Sequence, residues 1–257
     1  MNGSVAVAKM HGARNDFIVL DSRTSAPIDA IAFARRWCER HTGVGADGLL
    51  VIERSERAAA RMQVINADGS IAEMCGNGIR CVARYLDEAG CGDALAIETD
   101  AGIIETSVIA REPEYLVRVN MGVPNLVQRA LPIPDAAFVD MGNPHVVAIR
   151  GEGDPFDVAQ IGASFQDERV FPGGANVHRV VVEGPGSLRV RHYERGAGLT
   201  MACGTGAVAS AAVALRNGLV QSPVDVHVPG GVLHVEWDGV GAAYLIGPAV
   251  HVFDTVL

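Results

Sequence analysis

The sequence predicts an α+β fold of two pseudo-symmetric lobes, each a bent β-sheet or barrel wrapped around one central helix. Two observations lead to this prediction. The chain holds two glycine-rich turns, CGNG at residues 75–78 and CGTG at residues 203–206, and the segments that follow them superpose without gaps. Short runs of β-branched and apolar residues surround both turns, and such runs are typical of strands. Internal similarity of this kind indicates a duplicated unit.

Cys203 lies 128 residues after Cys75, and the same offset aligns polar and glycine positions over most of the chain. The matched positions are Asn15 with Asn143, Gly45 with Gly173, Asn66 with Glu194, and Gly102 with Gly230. A shared register over several segments favours duplication over a chance likeness of two glycine turns. In a duplicated architecture, we expect the matched turns where the halves meet, because clefts form there.

Local elements follow one order in both halves. Strand-like runs such as GLLVIE and HRVVVE precede the cysteine turns. After Cys75, apolar residues recur at helical spacing and stop at Gly90, which predicts a helix with Gly90 as its C-cap. The second predicted helix, Ala207 to Asn217, is apolar nearly all round and closes at Gly218. We therefore expect it to be buried.

Each cysteine thus precedes a helix, and this position favours negative charge. The first N–H groups of a helix have no intrahelical partner, and the helix dipole adds positive potential there. The anion could be a phosphate, a substrate carboxylate or the cysteine thiolate itself. Because the turn occurs twice in equivalent halves, Cys75 and Cys203 are candidate catalytic residues rather than small apolar core residues.

Composition excludes several function classes. The 257 residues carry a net charge of -9 without a basic stretch, so nucleic acid is not expected as a partner. No apolar run approaches the length of a membrane span and the amino terminus lacks a secretory pattern, which predicts a cytoplasmic protein. The five cysteines are an odd number without a CxxC pair, which favours reduced thiols over a disulfide framework or a structural zinc site.

Cofactor sites find little support in the sequence. Lys9 is the single lysine, so a pyridoxal phosphate enzyme would have one candidate for its Schiff base. GVGADG at residues 43–48 matches GxGxxG, but a strand-like LLVIE run follows where a dinucleotide site requires a helix. The eight histidines show no HExxH or paired arrangement, so no metal and no other cofactor is predicted.

A pair of thiols, one from each half, suits one reaction in particular. Inverting a stereocentre next to a carboxylate needs a base on one face of the carbon and an acid on the other. Cys75 and Cys203 could supply both groups without a cofactor. The carbanionic transition state would need electrostatic stabilisation in a site closed to water, and two helix amino termini could provide it. A small amino acid is therefore the expected substrate.

Six segments carry a resemblance to a known family: KMHGARNDF, GVGADGLL, NADGSIAEMCGNGIRCVARY, MGNPHVV, FPGGANV and YERGAGLTMACGTGA. Together they resemble the diaminopimelate epimerases over nearly the whole chain. The resemblance implies a cofactor-independent enzyme of lysine and peptidoglycan precursor synthesis that interconverts LL- and meso-diaminopimelate. It also implies a homodimer, a first lobe of residues 1–119 joined by a returning strand at 249–257, and a second lobe of residues 120–248.

The resemblance also assigns roles to individual residues. Cys75 and Cys203 match the base and acid pair, with Cys75 acting on the LL substrate. His145 and Glu194 resemble groups that tune the acidity of the cysteines. The residues implied to bind substrate are Asn15, Asn66, Gly76, Asn77, Asn143, Asn176, Glu194, Arg195, Gly204 and Thr205. Arg195 could hold a distal carboxylate through a bidentate fork, and Glu194 with the asparagine carbonyls could accept from the distal ammonium.

Three positions depart from the family pattern. Leu199 stands where a glutamate is frequent, Gly48 where some members carry glutamine, and Arg14 where a small residue is commoner. These departures leave the thiol chemistry intact. They keep open a related racemase or epimerase that acts on another amino acid.

Two other function classes also remain open. A Cys-His hydrolase could use His145, His178 or His192 as the base for either cysteine, although it leaves the other cysteine turn unexplained. A non-catalytic protein could instead bind an amino acid between the two halves. From the residues alone, Glu194 and Arg195 could be a solvated pair at a strand end, and His145 could be structural.

Overall fold

The computed structural model of the chain describes residues 4–23 and 27–257. Its contacts divide it into two compact units, Met1–Val119 with Gly247–Leu257, and Asn120–Ile246. Each unit combines a β-sheet with helices, so the α+β class is confirmed. No helix in the described part of the chain is long and apolar enough to cross a membrane.

The elements of each unit follow in chain order. The first unit begins with β1 (Ala6–Gly12), β2 (Asn15–Asp21), α1 (Ala30–Trp37), β3 (Gly48–Glu53), β4 (Ala60–Asn66), β5 (Ile71–Ala72), α2 (Gly76–Glu88), β6 (Ala94–Thr99), β7 (Gly102–Ala110) and β8 (Leu116–Asn120). The second contains β9 (Asn125–Val127), β10 (Ala136–Asp140), β11 (Pro144–Ile149), α3 (Val158–Ser164), β12 (Asn176–Gly184), β13 (Ser187–Glu194), β14 (Gly198–Thr200), α4 (Gly204–Arg216), β15 (Val224–Val228), β16 (Gly231–Glu236) and β17 (Tyr244–Pro248). The last strand, β18 (Val250–Val256), pairs with β1 and so belongs to the first unit.

The sheet of the first unit surrounds its second helix. Its strand order is β18, β1, β2, β3, β4, β6, β7, β8, with the short β5 also paired to β4. The β2–β3 and β4–β6 pairs are parallel, and the other pairs are antiparallel. Helix α2 packs against β1, β2, β3, β4, β6 and β7. A sheet that contacts one helix through six of its strands must bend around that helix.

The second unit repeats this arrangement. Its strand order is β9, β10, β11, β12, β13, β15, β16, β17, with the short β14 also paired to β13. The β11–β12 and β13–β15 pairs are parallel, at the same two places in the order. Helix α4 packs against β10, β11, β12, β13, β15 and β16. The duplication predicted from the 128-residue register is confirmed at the level of strand pairing.

Strand β3 shows why several strands contain unbroken apolar runs. All four residues from Leu49 to Ile52 are buried. Leu49 and Val51 pack in a cluster with Ala34 of α1, whereas Leu50 lies against Gly78 of α2. Both faces of the strand are therefore covered, and an alternating pattern is not expected where both faces are buried.

The central helix of the first unit follows Cys75, as the sequence predicts, and ends one residue before the predicted position. Helix α2 begins directly after its N-cap Cys75 and ends at Glu88 with Ala89 as C-cap. Gly90 follows with φ of +82°, a left-handed conformation that glycine adopts without a steric cost. The predicted C-cap, Gly90, was wrong by one residue: the C-cap is Ala89, and Gly90 is the left-handed residue that follows it.

The central helix of the second unit starts earlier than predicted. Helix α4 begins at Gly204, three residues before the expected start at Ala207. Glycine and threonine have low helix propensity, so the pattern looks helical only from Ala207 onward. Nearly all of α4 is buried, mostly as alanine and valine, and its predicted burial is confirmed.

Candidate functional site

Both candidate cysteines are helix N-caps. Cys75 precedes α2 with φ -138° and ψ 113°, and Cys203 precedes α4 with φ -123° and ψ 113°. The N–H of Gly78 donates to Cys75 Sγ at 3.4 Å, and the N–H of Gly206 lowers the pKa of Cys203. The Cys75 sulfur thus caps its helix by a hydrogen bond, whereas Cys203 makes no side-chain cap hydrogen bond. In both units the helix dipole favours an anion at the cap.

The Cys75 cluster consists of Cys75, Asn15, Asp47, Asn77 and Arg80. Cys75 Sγ and Asn77 Nδ2 both donate to Asn15 Oδ1, at 3.7 and 3.1 Å. Asn15 Nδ2 donates to Asp47 Oδ2 at 2.7 Å. The Asn15 amide thus has its oxygen and its nitrogen engaged on opposite sides, which fixes its orientation.

Arg80 is a buried cation beneath the first turn of α2, with 0% exposure. It donates to the carbonyls of Gly76 and Pro248 and to Asn77 Oδ1, at 2.9, 3.1 and 2.9 Å. Burial lowers its pKa to about 10, and the nearby thiols of Cys81 and Cys75 act in the opposite direction. The guanidinium therefore stays charged at neutral pH.

The negative charge that Arg80 can face is that of Cys75. Arg80 pairs with no carboxylate in the described ranges 4–23 and 27–257. Burial raises the pKa of Cys81 to about 12, so that residue remains a neutral thiol. A buried cation without a carboxylate partner favours ionisation of the Cys75 thiol, which donates to Asn15 Oδ1 while it is protonated.

An ion network anchors the other end of the Cys75 cluster. Arg40 pairs with Asp47 at 2.6 Å and with Asp16 at 2.7 Å, and Lys9 pairs with Asp16 at 2.5 Å. Burial raises the pKa of Asp16, but the hydrogen bonds from Arg40 and Lys9 outweigh it and hold the pKa at about 2. Lys9 also donates to the Gly45 carbonyl. The one lysine of the chain is therefore already engaged.

Asn66 lies beside this cluster, opposite Gly48 in the β3–β4 register. Its side chain is exposed, and its Nδ2 donates to Ser70 Oγ at 2.9 Å. A Cβ atom on Gly48 would lie 2.7 Å from the carbonyl oxygen of Ile65. The close approach of the two strands therefore explains why this chain has glycine at that position.

The environment of Cys203 favours the neutral thiol. Cys203 is 3% exposed, and its burial raises the pKa of the thiol well above the usual value. The charge and hydrogen bond of Glu194 raise it further, while Thr205, whose Oγ1 lies 3.6 Å from the sulfur, acts in the opposite direction. Cys203 is thus a proton donor at neutral pH.

Asn176 connects the segments around Cys203. Its Nδ2 donates to the Pro144 carbonyl and its Oδ1 accepts the N–H of Arg195, both at 2.9 Å. Arg195 donates from Nη1 to the Gly173 carbonyl at 3.0 Å, and the residue is exposed. Asn176 thereby ties the strand end that carries Arg195 to the strand that follows Asn143.

A chain of three histidines, named here the histidine chain, lies buried in the same unit. His145 Nε2 is 2.7 Å from Asn143 Oδ1, and His145 Nδ1 is 2.8 Å from His178 Nε2. His178 Nδ1 is 2.8 Å from His192 Nδ1. The chain also supports α4, because a Cβ atom on Gly206 would lie 2.5 Å from His178 Cε1.

Other kinds of site find no support around these clusters. Over residues 4–23 and 27–257, no three His, Cys, Asp or Glu side chains are arranged to hold a metal ion. Two surface depressions of about 630 and 560 Å³ occur in the second unit, and none of the predicted site residues lines them. The strand β3 follows GVGADG, so this turn lacks the helix that a dinucleotide site requires.

Comparison with known proteins identifies the family of the chain. The family model described as diaminopimelate epimerase matches residues 7–127 and 137–252. The chain belongs to the diaminopimelate epimerase family. The diaminopimelate epimerase of Desulfitobacterium hafniense is 40% identical over 98% of this chain and 97% of its own. That of Moorella thermoacetica is 41% identical over 95% and 96%.

Solved structures share the fold at much lower identity. A phenazine biosynthesis protein of the PhzF family from Bacillus anthracis superposes with a TM-score of 0.76 at 17% identity, covering 99% of both chains. A hydroxyproline epimerase from Agrobacterium vitis gives a TM-score of 0.70 at 14% identity, covering 100% of this chain and 93% of that one. The diaminopimelate epimerase-like fold predicted from the sequence is therefore confirmed.

Sequence reasoning overlooked several residues of the two clusters. Arg80 and Asp47 were not considered, and His178 and His192 were considered only as bases for a hydrolase. The described contacts join the histidine chain to Asn143 rather than to either cysteine. One available signal was the arginine at position 80, because a charge beside the apolar face of a buried helix needs partners.

Proposed function

We propose that this chain interconverts LL- and meso-diaminopimelate by proton transfer between Cys75 and Cys203, without a cofactor. The observation that carries the proposal is that each unit presents a cysteine as the N-cap of its central helix, at equivalent positions 128 residues apart. Relatives about 40% identical over almost their whole length are named diaminopimelate epimerases. As a member of this family the chain is an isomerase, with a place in lysine and peptidoglycan precursor synthesis.

The proton balance of the reaction needs no other reactant. The Cys75 thiolate removes the α-proton from one face of the carbon and becomes a thiol. The Cys203 thiol then delivers its proton to the opposite face and becomes a thiolate. The reverse reaction exchanges these roles. The assignment rests on the charge near each sulfur, since Arg80 is a cation near Cys75 while burial and Glu194 keep Cys203 protonated.

The first turns of α2 and α4 would hold the reacting α-carboxylate. Backbone N–H groups at Gly76, Asn77, Gly204 and Thr205 belong to the part of each helix that lacks intrahelical partners. Donors fixed at these positions stabilise the negative charge that grows on the carboxylate as the α-proton leaves. Asn15 is proposed to hold Asn77 in place throughout this step and to accept from Cys75 once the sulfur has taken up the α-proton.

The remaining predicted residues would bind the distal amino acid end. We assign Arg195 to the distal carboxylate and Glu194 to the distal ammonium, since they are an exposed cation and a half-buried anion side by side. Asn66 and Asn143 add polar contacts. The contacts of Asn176 favour a supporting role, in which it holds Arg195 in position.

The test is solvent exchange with LL-diaminopimelate in heavy water. The proposal expects one deuterium at the inverted α-carbon and conversion to the meso form. A racemase for another amino acid would leave diaminopimelate unchanged and act on a member of a panel of single amino acids. A hydrolase would yield cleavage products, and a binding protein would show neither exchange nor product.

We also propose that the protein is a cytoplasmic homodimer. Strand β18 offers a partner surface, because Val252, Phe253 and Val256 are 52, 44 and 62% exposed. Exposed apolar side chains grouped on one strand mark an interaction surface. Light scattering after size exclusion should give twice the chain mass, and Phe253→Asp should shift the species toward the monomer.

A further inference from the structure

The histidine chain contains two residues, His178 and His192, that the proposed reaction does not use. All three of its imidazoles are at most 1% exposed. Burial lowers the pKa of His145 and of His192 to about 3, and that of His178 well below its usual value. The three rings are therefore neutral at physiological pH. A neutral imidazole has one nitrogen that donates and one that accepts.

The contact with Asn143 determines the tautomer of every ring. The amide oxygen of Asn143 can only accept, so His145 carries its proton on Nε2. His145 Nδ1 then accepts, and His178 must donate to it from Nε2. His178 Nδ1 accepts in turn, so His192 donates from Nδ1 and keeps Nε2 as an acceptor. Only the complete reversal of all these bonds would satisfy the same contacts, and it would turn the Asn143 amide around.

The far end of the histidine chain is a buried ring nitrogen of His192. His192 Nε2 and Thr200 Oγ1 are both buried without a partner among the described residues. His192 and Thr200 are also directly opposite each other in the β13–β14 register, which puts their side chains on one face of the sheet. Because neither atom has a partner, the two are not hydrogen-bonded to each other, and the histidine chain ends at His192 Nε2 as an acceptor without a donor among the described residues.

We propose that His178 and His192 are positioning residues for Asn143. Their fixed tautomers make His145 a donor to the Asn143 amide oxygen, so the NH₂ group of Asn143 is turned away from His145. This inference rests on the proposed function, in which Asn143 contacts the substrate. A donor at that position selects a carboxylate oxygen rather than an ammonium. The chain does not relay protons, because the amide oxygen of Asn143 offers no group to receive one.

The first experiment reads the tautomers directly, without substrate. Nitrogen-15 NMR of protein labelled at histidine should show the ring proton on Nε2 for His145 and His178, and on Nδ1 for His192. Protons on Nδ1 of His145 and His178 would reverse the chain and overturn the proposal. Because no turnover is involved, this result stands even if the proposed reaction is wrong.

The second experiment links the chain to substrate binding. In His178→Leu, His145 loses its partner, and we expect KM for LL-diaminopimelate to rise about tenfold with kcat within about threefold. His178→Gln should restore KM, because its amide can donate to His145 Nδ1. His234→Gln is the control, since His234 is a half-buried residue paired with Asp225 and should leave KM unchanged.

A further variant keeps the proposal testable if His178→Leu does not fold. His192→Leu leaves the contact between His178 and Gly206 in place and removes only the donor to His178 Nδ1. It should raise KM about threefold and yield mixed tautomers at His145. An unchanged KM in a folded variant whose His145 tautomer has changed would refute the positioning role.

Discussion

The two units hold equivalent asparagines by different means. In the first unit, Asn15 lies between Asn77 and Asp47, and the network ends in the charges of Arg40 and Arg80. In the second unit the matching asparagine, Asn143, accepts from a chain of neutral imidazoles. The backbone frame and the capping cysteine are common to both units. The polar groups that support them are not.

This difference gives the two cysteines opposite electrostatic environments. At the position of Arg80 the second unit has Val208, and at the position of Glu194 the first unit has Asn66. A cation therefore lies near Cys75, and an anion lies near Cys203. A duplicated fold can thus support one thiolate and one thiol, which is the asymmetry that a one-proton exchange requires.

The largest expected effect is that acid destabilises the second unit first. The histidine chain is neutral when folded, with pKa values lowered to about 3 or below, and takes up protons on unfolding below about pH 6.5. Its stabilisation is complete above pH 6.5 and is lost as pH falls toward 3. We expect the free energy of unfolding of the second unit to fall by about 5 kcal/mol between pH 7 and pH 5. Hydrogen exchange in each unit measures it.

The first unit should respond in a different range of pH. The pKa of Asp16 is held at about 2 in the folded protein, below its usual value of about 4 in an unfolded chain. The ionised carboxylate therefore stabilises the fold above about pH 4, and this contribution is lost only as the pH falls below that value. Equal protection of the two units from pH 7 to 5 would contradict the comparison. The matched variant is His178→Gln, in which the acid sensitivity of the second unit should decrease.

Next in size is the loss of either cysteine. Cys75→Ser and Cys203→Ser should each lower kcat/KM by at least about a thousandfold, because a hydroxyl is a poor acid and base at neutral pH. The assay is deuterium incorporation at the α-carbon, with circular dichroism to verify the fold. Cys91→Ser, at an exposed thiol, is the control and should keep full activity. Full activity in either of the first two variants would refute the base and acid assignment.

Replacing Arg80 tests the cation below Cys75. Arg80→Leu should lower the free energy of unfolding by about 3 kcal/mol, because three buried acceptors lose their donor. It should also slow the alkylation of Cys75 at pH 7, since the thiolate loses its cation. Arg84→Leu is the control on the same helix, where Arg84 pairs with Glu88. Unchanged alkylation in Arg80→Leu would remove the electrostatic difference between the cysteines.

A smaller effect separates two equivalent glycines. In Gly206→Ala the new Cβ would lie 2.5 to 3.0 Å from ring atoms of His178, which is rigidly held. In Gly78→Ala it meets the end of the Leu50 side chain at 2.9 Å, which can move. We expect the free energy of unfolding to fall by about 2 kcal/mol in Gly206→Ala and by less than about 1 kcal/mol in Gly78→Ala. Urea unfolding measures both, and similar losses would show that the histidine chain yields as easily as leucine.

The smallest expected effect concerns the turns before the matched asparagines. Arg14, with φ of +64°, precedes Asn15, whereas Gly142, with φ of +90°, precedes Asn143. Left-handed backbone is strained for arginine, so Arg14→Gly should raise the free energy of unfolding by about 0.5 kcal/mol after the entropic cost of glycine. Thermal unfolding measures the change, with Arg169→Gly at an exposed position as the control. A loss of stability would mean that the Arg14 side chain stabilises this turn.

Part of the candidate site was accessible from the sequence because the fold is duplicated. The offset between Cys75 and Cys203 predicted two equivalent capped helices, and the chain shows them with identical strand orders. The partners of the cysteines were less accessible. Arg80 was overlooked because an arginine in a helix is usually a surface residue. Nothing in the spacing of His145, His178 and His192 indicates contact, since they lie on three different strands.

By itself, the sequence determined the duplication, the helices that follow the two cysteines, the family, and hence the reaction class. These properties depend on local patterns and on register, which a linear chain displays directly. Only the tertiary structure decided which charge lies near each sulfur, which Asn143 atom meets His145, and which atoms a side chain at Gly48 or Gly206 would meet. Each of these depends on atoms that are distant in sequence and meet only when the strands pair and the helices pack against them.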